Sequence, residues 1–299
     1  MNKPFLTVFT PTFNRVHTLR RLYDSLLAQT DSDFEWLIVD DGSEDDTGAI
    51  VSGWAKDAPF SIRYLWQENS GKHVAHNLGA NEAQGRYFIC VDSDDWLESN
   101  AITTIRTHSR SLGSDVGLIY PKLFNTQAQL LSTEWVPQGT REIQLSDLRM
   151  RYGFVIETAI VFNTSVLRRH PFPVIETEHY IPEEASYHDY RYPETFWAHS
   201  DCFYRCEYLK EGLTRNIWSN WLRNPVGTKL ALRKRYEVAN RYRTLCGVKN
   251  RISAIVGIES LNVALGLPVM DGVPCHAAAL CLRPVSYAYA RKRFGEVAQ

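Results

Sequence analysis

The sequence has few of the features that mark secreted, fibrous or disordered proteins. Six cysteines, 17 glycines and 13 prolines among 299 residues are too few for a disulfide framework, a collagen repeat or a low-complexity chain. Cys90 falls in an apolar run, and Cys202 and Cys206 are separated by three residues where zinc knuckles use two. The N-terminus shows no signal-peptide pattern, so we expect a reduced, cytoplasmic protein.

Two further absences concern metal and membrane. The nine histidines form neither an HxxxH nor an HExxH pattern, which disfavours a zinc enzyme. The apolar stretch from Ser253 to Leu267 is interrupted by Glu259 and Asn262 and is closed by Pro268. It is therefore too short and too polar to predict a membrane-spanning helix.

Positive charge is scarce in the first part of the chain, and negative charge is scarce in the last part. Residues 1–214 hold 19 Lys and Arg against 30 Asp and Glu, a balance of −11. Residues 215–299 hold 14 against 4, a balance of +10. The acidic part disfavours nucleic acid as a general partner, whereas the basic part is free to meet an anionic surface.

Apolar runs and helical stripes alternate over the first 120 residues. Continuous apolar runs predict strands at residues 5–9, 34–39, 62–66 and 87–91, and three- to four-residue spacing predicts helices at 16–27, about 45–55 and 74–83. This alternation predicts an α/β fold whose mostly parallel sheet is covered on both faces.

The pattern loosens after residue 120. Residues 122–150 are predicted to be rich in loops, and residues 153–162 to form another strand. A short helix starting near Pro182 is expected within residues 181–190, and the chain from Thr228 onward is predicted to be helical and basic.

Two acidic loops follow the second and fourth predicted strands. Residues 92–95 (DSDD) carry three carboxylates, which repel one another unless a cation such as Mg²⁺ or Mn²⁺ neutralises them. The alternative is a solvated acidic turn in which Asp95 caps the next helix. Residues 40–43 (DDGS) also suit a tight turn with an N-cap. Because both loops lie at the same edge of a parallel sheet, one carboxylate could bind a base while the other loop holds a metal against phosphates.

Other residues suggest parts of the same chemistry. Lys72 stands at the start of a predicted helix, where phosphate is favoured, although the spacing is not that of a P-loop. A general base could come from the acidic segment around residue 182, whose carboxylates equally suit a solvated helix start: Glu176, Glu178, Glu183 and Glu184. Trp96 and Trp135 could stack on a sugar, or pack in the core.

Several of these motifs occur in a defined order. They are residues 10–14 (TPTFN), 26–30 (LLAQT), 34–35 (FE), 39–43 (VDDGS), Asn77 with Gly79, Gly85, and 92–95 (DSDD). Together they resemble the family 2 glycosyltransferases of the GT-A fold, densely over residues 4–120. The resemblance continues more faintly at residues 181–183 (IPE) and 207–214 (EYLKEGLT).

The resemblance implies a nucleotide pocket in the first part of the chain. Pro11 and Thr12 would line it, with Asn14 and Ser93 among the nucleotide-binding residues, and Asp41 would hydrogen-bond the base. Asp41 suits the imide of uracil or thymine and could also accept a hydrogen bond from guanine, so a UDP-sugar is the preferred donor and a GDP-sugar an alternative.

The resemblance also implies the metal site and the base. Asp92 and Asp94 would be the ends of an Asp-x-Asp motif, with Asp94 ligating Mn²⁺ or Mg²⁺ at the diphosphate and Asp92 lying near the ribose and the metal. Many members have Arg where His76 stands, so phosphate contact would pass to Lys72. Glu183 would take the proton of the acceptor as the sugar is transferred by inverting displacement.

The implied organisation is a GT-A catalytic domain at residues 1–215 and a helical, basic region at 216–299. Nucleotide-sugar binding would occupy residues 1–120 and the acceptor side residues 121–215. The acceptor would be a hydroxyl of a glycan or a lipid-linked molecule, as in polysaccharide biosynthesis. The basic region would either contact the anionic inner face of the membrane or pack on the acidic part.

Two other functions fit parts of the sequence. A sugar nucleotidyltransferase would ordinarily have a glycine-rich loop after the first strand, but residues 11–15 (PTFNR) contain no glycine. A non-catalytic protein that binds nucleotide-sugar or glycan could keep the fold, although retention of Asp41, Asp92, Asp94 and Glu183 favours an enzyme.

Overall fold

The computed structural model describes residues 3–110, 112–113, 116–124, 129–130, 142–154, 157–207 and 212–295, so Trp135 lies outside the described residues. Packing divides the chain into two compact units. The first comprises residues 1–144, 155–171 and 191–207, and the second comprises residues 145–154, 172–190 and 208–299. Residues 172–190, which include Glu183, thus pack with the C-terminal helices. A domain boundary at residue 215 stays a prediction.

The elements follow one another as the alternating pattern predicts. The strands are β1 (Leu6–Thr12), β2 (Phe34–Asp40), β3 (Ser61–Trp66), β4 (Tyr87–Cys90), β5 (Trp96–Leu97), β6 (Val116–Phe124), β7 (Gln129–Leu130), β8 (Glu142–Ile143), β9 (Thr158–Asn163), β10 (Thr195–Ala198) and β11 (Tyr204–Cys206). The helices are α1 (Val16–Leu27), α2 (Thr47–Asp57), α3 (Lys72–Glu82), α4 (Ala101–Ser109), α5 (Leu145–Met150), α6 (Thr164–Leu167), α7 (Glu184–Tyr187), α8 (Ile217–Arg223), α9 (Pro225–Ala239), α10 (Leu245–Leu265) and α11 (His276–Phe294).

The strands of the first unit form a mixed sheet. Its order in the described part of the chain is β3-β2-β1-β4-β9-β6-β10-β8. The first four strands are parallel, β9 is antiparallel to both β4 and β6, and β10 is parallel to β6. The four strands predicted in the first half are therefore confirmed, and they form one continuous parallel part of the sheet.

Apolar patterning explains this arrangement. Every residue of β1 and β2 is buried, as expected of central strands that are covered on both faces. On α1, Leu19, Leu22 and Leu26 recur at helical spacing and are buried. These side chains join the main core of the first unit.

The prediction of a loop-rich segment at residues 122–150 is wrong in part. Strand β6 continues to Phe124, and α5 forms at Leu145–Met150. Pro121 and Lys122 interrupt the apolar pattern, yet both are buried in β6, where Pro121 pairs with Thr158 of β9 and Lys122 with Tyr204 of β11. The strand predicted at residues 153–162 begins only at Thr158.

The second unit is helical, as predicted. In α10 the Thr244 hydroxyl accepts a hydrogen bond from the Gly247 N–H at 2.9 Å, and Gly266 ends the helix with a φ of +64°. Trp221, Leu232 and Phe294 belong to the unit's main core. Among the described residues, no helix combines the length and apolarity needed to cross a membrane.

Candidate active site at the sheet edge

The two acidic loops lie at one edge of the parallel strands, as their positions in the sequence predict. Strand β1 lies between β2 and β4, and Thr12 at its end pairs with Asp40. The Asp41 N–H donates to the Thr12 carbonyl at 2.8 Å, and the Val91 N–H donates to the Phe9 carbonyl at 2.8 Å. The loops that begin at Asp41 and at residue 92 therefore leave the sheet on either side of Thr12.

The carboxylate of Asp41 organises the loop before α3. It is buried and accepts hydrogen bonds from the Gln67 amide at 2.7 Å, the Ser70 N–H at 2.9 Å and the Gly71 N–H at 2.8 Å. A carboxylate offers about four lone-pair positions. Asp41 thus fixes the backbone just before Lys72, and its contact with a nucleotide base stays a prediction.

Lys72 and Asp92 form an ion pair across the edge. The Lys72 ammonium lies 2.7 Å from one Asp92 oxygen and 3.0 Å from the other. Burial raises the pKa of Asp92, but the cations Lys72 and Lys122 outweigh it and hold that pKa below its ordinary value. Lys72 therefore stands where the sequence predicts a phosphate contact and is paired with Asp92.

Asp94 has a different environment. It is half-buried, and burial together with the charge of Asp92 raises its pKa. Within the described residues, no other side chain hydrogen-bonds its carboxylate. The backbone of Asp94 is held in place instead, because the Arg21 guanidinium donates a hydrogen bond to the Asp94 carbonyl at 2.5 Å. The same guanidinium lies 4.0 Å from the centre of the Trp96 ring.

Asp95 is not the helix cap that the solvated-turn alternative required. It is buried, and its carboxylate accepts hydrogen bonds from the Tyr204 hydroxyl at 2.7 Å and the Glu207 N–H at 3.2 Å. The Lys122 ammonium lies 3.8 Å from it. Burial and the charges of the neighbouring aspartates nevertheless raise the pKa of Asp95 to about 7.

Tyr204 and Lys122 are residues that the sequence did not indicate. The Tyr204 hydroxyl also accepts a hydrogen bond from the Asp92 N–H at 3.2 Å, so it ties Asp92 to Asp95. Lys122 is buried, lies over the Tyr204 ring at 4.2 Å and lies 3.6 Å from Glu157. Both residues come from later strands that are brought to this edge only by the fold, so no local motif could reveal them.

The remaining predicted nucleotide residues surround the same edge. Pro11, Thr12 and Ser93 are buried, and the Thr12 hydroxyl has no hydrogen-bond partner among the described residues. A buried hydroxyl without a partner is unfavourable unless a ligand completes it. Asn14 is exposed at a φ of 51°, and its side chain accepts from the Glu44 N–H at 2.9 Å.

His76 belongs to the packed interior. Its ring meets Phe9 and Phe88 edge-on, with centroids 5.5 and 5.4 Å away. Burial, reinforced by the Lys72 cation, lowers the pKa of His76 to about 3, so the ring is neutral at physiological pH. It cannot supply the charge that Arg supplies in many relatives, which agrees with the expectation that phosphate contact passes to Lys72.

Four carboxylates of the second unit were candidates for the base, and one of them, Glu176, is exposed. Glu178 is buried and accepts from the Val226 and Gly227 N–H groups at 2.7 and 2.6 Å, capping the start of α9. Glu184 accepts from the Arg235 Nε at 2.8 Å, and despite its burial the Arg235 cation holds its pKa well below the usual range. Glu183, at the N-cap of α7, is exposed.

The carboxylates at the sheet edge suit a divalent cation. Asp92 and Asp94 offer only oxygen atoms, which Mg²⁺ and Mn²⁺ prefer. Burial, together with the charge of Asp92, raises the pKa of Asp94, and the unpartnered Thr12 hydroxyl lies at the same edge. The residues present therefore fit the metal and nucleotide that the sequence led us to expect.

The family model described as glycosyl transferase family 2 matches residues 7–175. The chain therefore belongs to this family and, with it, to the glycosyltransferase enzymes. It is 38% identical over 100 residues to glycosyltransferase GlyA of Streptococcus pneumoniae, a stretch that covers 33% of this chain and 14% of GlyA. It is 39% identical over 96 residues to the uncharacterized glycosyltransferase EpsJ of Bacillus subtilis, covering 32% and 28% of the two chains.

Solved structures extend the likeness over the whole chain. Residues 1–349 of Staphylococcus aureus TarS in complex with UDP-GlcNAc align with a TM-score of 0.54 at 17% identity, covering 97% of this chain and 88% of that one. Mannosyltransferase PcManGT from Pyrobaculum calidifontis, in complex with GDP-Man and Mn²⁺, aligns with a TM-score of 0.54 at 17% identity, covering 100% and 86%. The predicted GT-A fold is thus confirmed.

Proposed function

We propose that the protein transfers a sugar from a nucleoside-diphosphate donor to a hydroxyl group, with a divalent metal and inversion at the anomeric carbon. The observation that carries this proposal is the meeting of two acidic loops at one sheet edge in a member of glycosyl transferase family 2. Donor complexes of two proteins of the same fold, with UDP-GlcNAc and with GDP-Man, support a nucleotide-sugar donor. A UDP-sugar is our first choice, because Asp41 suits a pyrimidine imide.

Each residue at the edge has a defined task in this proposal. Asp41, Pro11, Thr12 and Asn14 form the base and ribose side of the pocket. The Thr12 hydroxyl, buried and without a partner among the described residues, hydrogen-bonds the donor. Ser93 adds a polar group beside the nucleotide.

The diphosphate side depends on Asp92, Asp94 and Lys72. Asp92 and Asp94 would hold Mn²⁺ or Mg²⁺, and the ion would supply positive charge to neutralise the departing nucleoside diphosphate. Lys72, already paired with Asp92 at 2.7 Å, exchanges part of that contact for a phosphate oxygen. His76 stays neutral and does not contribute positive charge to the diphosphate side.

We assign the base to Glu183. Its carboxylate takes the proton of the acceptor hydroxyl as that oxygen attacks the sugar. Two observations support the choice over its neighbours: Glu178 caps α9, and Glu184 is held ionised by Arg235, which makes it a weak proton acceptor. Glu183 is exposed, so a substrate can reach it.

The first experiment is a thermal-shift screen of UDP, GDP, dTDP and CDP, each with and without Mn²⁺. A ligand that binds only the folded state raises the melting temperature by mass action. We expect one diphosphate to raise it only when Mn²⁺ is present, and the shift to vanish in Asp94→Ala. Asp24→Ala, which removes an exposed carboxylate of α1, is the matched control and should keep the shift.

A flat response to all four nucleotides would contradict the donor site. A metal-dependent shift combined with no transfer to any glycan or lipid-linked acceptor would favour the non-catalytic alternative, in which the protein binds nucleotide-sugar without turnover. Glu183→Gln should bind the nucleotide as the wild type does and lose transfer. If Glu184→Gln loses transfer at unchanged stability while Glu183→Gln does not, the base assignment is wrong.

We also propose that the basic region meets an anionic membrane, where a lipid-linked acceptor would be presented. Residues 276–295 carry Arg283, Arg291, Lys292 and Arg293 and no carboxylate. On α11 the apolar side chains of Leu280 and Val285 are 54% and 52% exposed. A helix that combines exposed apolar groups with positive charge suits the surface of an anionic bilayer.

Flotation with anionic vesicles at low salt tests this contact. The protein should float with them and not with neutral vesicles, and Arg291→Glu with Lys292→Glu should abolish flotation. A protein that stays at the bottom with both kinds of vesicle would show that the basic region has another role, such as packing on the acidic part of the chain.

A further inference from the structure

Two histidines and an aspartate from distant parts of the sequence meet in the first unit, away from the residues assigned above. His108 lies in the last turn of α4, His199 directly follows β10, and Asp201 comes two residues later. One ligand atom from each lies within 4.8 Å of the others. The His108 Nε2 and an Asp201 carboxylate oxygen are 3.6 Å apart.

Tyr120 orients this cluster. Its hydroxyl lies 3.0 Å from the His108 Nδ1, which leaves the Nε2 of the same ring facing Asp201. The rings of His108 and His199 are stacked, with centroids 3.8 Å apart and an angle of 3° between their planes. A polar group that bonds one imidazole nitrogen and so directs the other toward a ligand is what metal-binding histidines usually have behind them.

The cluster is accessible from solvent. The side chain of Asp201 is 53% exposed and that of His108 is 21% exposed. Because the two rings are parallel, their nitrogen lone pairs do not converge on one point, so binding an ion requires one ring to tilt about its Cβ–Cγ bond. The exposed Asp201 side chain is free to follow that tilt.

The ligand types decide which ion fits. Two imidazole nitrogens and one carboxylate oxygen suit Zn²⁺, which takes such ligands at about 2.0–2.2 Å and leaves a fourth position for water. The pair Asp92 and Asp94 offers oxygen only and suits Mg²⁺ or Mn²⁺. The first unit therefore holds two donor sets that select different cations.

We propose that His108, His199 and Asp201 form a Zn²⁺ site that is separate from the donor site. An ion bound there would fasten the end of α4 to the segment that follows β10. That segment leads directly into β11, whose Tyr204 hydrogen-bonds the Asp92 N–H and the Asp95 carboxylate. The Zn²⁺ site would thus stabilise the segment between β10 and β11, which supports the acidic loop. We assign the Zn²⁺ ion no part in the transfer step.

Zn²⁺ binding to the full chain, freed of metal with a chelator, tests the proposal directly. A titration in competition with a chromogenic chelator should show one tight site per chain. Asp201→Asn should weaken binding at least about tenfold, and His199→Asn should abolish it. His17→Gln, which changes an exposed histidine of α1, is the matched control and should bind as the wild type does.

Further variants separate this site from its neighbours. Asp94→Ala should bind Zn²⁺ unchanged, because the ion does not use the acidic loop. Co²⁺ in place of Zn²⁺ should give an absorption spectrum without a thiolate charge-transfer band, and Cys202→Ser should not alter the spectrum. Zn²⁺ should raise the melting temperature of the wild type and not that of Asp201→Asn.

Three results would overturn the proposal: no stoichiometric Zn²⁺ binding by the wild type, equal binding by Asp201→Asn, or loss of binding in Asp94→Ala. Asp201 is exposed, so its substitution leaves the fold intact even where His199→Asn disturbs packing. Wild-type affinity in Asp201→Asn would mean that the stacked histidines serve packing alone.

Discussion

Glu184→Gln provides a sharp test of how the acidic segment before α7 is used. Glu184 and Glu183 are adjacent, yet they have opposite environments. The Glu184 carboxylate accepts hydrogen bonds from two nitrogens of the Arg235 guanidinium, and the His188 Nε2 lies 3.4 Å from the same carboxylate. Glu183 is exposed. We expect Glu184→Gln to destabilise the protein and Glu183→Gln to leave stability unchanged.

The magnitude follows from the burial of the pair. The side chains of Arg235 and Glu184 are 11% and 16% exposed, so water cannot replace the lost carboxylate charge. Arg149 is also nearby, and its pKa is lowered by burial and by the Arg235 cation. Removing one partner of a buried ion pair costs about 3–5 kcal/mol. Because Gln keeps one hydrogen-bond acceptor, we expect about 3 kcal/mol.

Urea unfolding followed by tryptophan fluorescence measures this effect. The chain has two units, so the shift of the midpoint assigned to the second unit is compared rather than a single extrapolated free energy. Transfer activity is measured on the same samples at a temperature where both variants are folded. Glu183→Gln should keep the unfolding midpoint of the wild type and lose transfer activity. Glu184→Gln should lower the midpoint and keep transfer activity.

The pH dependence gives a second test of the same ion pair. Arg235 lowers the pKa of Glu184 in the folded protein, so the pair contributes fully above the unfolded pKa of about 4.3 and is lost as the pH falls through the folded pKa. The stability difference between wild type and Glu184→Gln should therefore shrink below about pH 4.3. Equal stability of the two proteins at neutral pH would refute the reasoning.

Three other substitutions test the sheet edge and the cap of α9. Asp94→Ala should abolish Mn²⁺-dependent nucleotide binding in calorimetry and change stability by no more than about 0.5 kcal/mol; wild-type binding would remove Asp94 from the metal site. Tyr204→Phe loses its hydrogen bonds to Asp92 and Asp95 and should lower the free energy of unfolding by about 2 kcal/mol while weakening nucleotide binding; unchanged denaturation would contradict this role. Glu178→Ala removes the carboxylate that accepts hydrogen bonds from two N–H groups of α9, so it should lower stability by about 1–2 kcal/mol while transfer is retained. A loss of transfer without a loss of stability would point to a catalytic role.

The parallel half of the sheet could be predicted because the residue patterns that specify it lie within single strands and helices. Strands β1, β2 and β4 are largely apolar runs, and α1 carries a buried apolar stripe of its own. The position of the acidic loops then follows from strand direction alone. Strand β6 was not predicted, and its end falls in the segment expected to be rich in loops. Pro121 pairs there with Thr158 of β9 and Lys122 with Tyr204 of β11, which are far along the chain.

Whether each carboxylate is ion-paired, buried or available to a ligand could not be predicted, because this depends on partners far along the chain. Glu184 is recognisable as structural only when Arg235 is seen to pair with it. His108 and His199 showed no metal-binding spacing, since their meeting depends on the arrangement of α4, β6 and β10. Sequence spacing identifies ligands that share one element, and it does not identify ligands that the fold assembles.

The same dependence explains how three carboxylates coexist in residues 92–95. Asp92 is paired with Lys72, and Asp95 is buried against Tyr204 with Lys122 nearby. Among the described residues, only Asp94 of the three lacks a side-chain partner, and burial together with the charge of Asp92 raises its pKa. The fold thus fixes the loop with its own cations and leaves one carboxylate available at the sheet edge. A metal arriving with a diphosphate would therefore meet a loop already in position, so little of its binding free energy would be needed to order these residues.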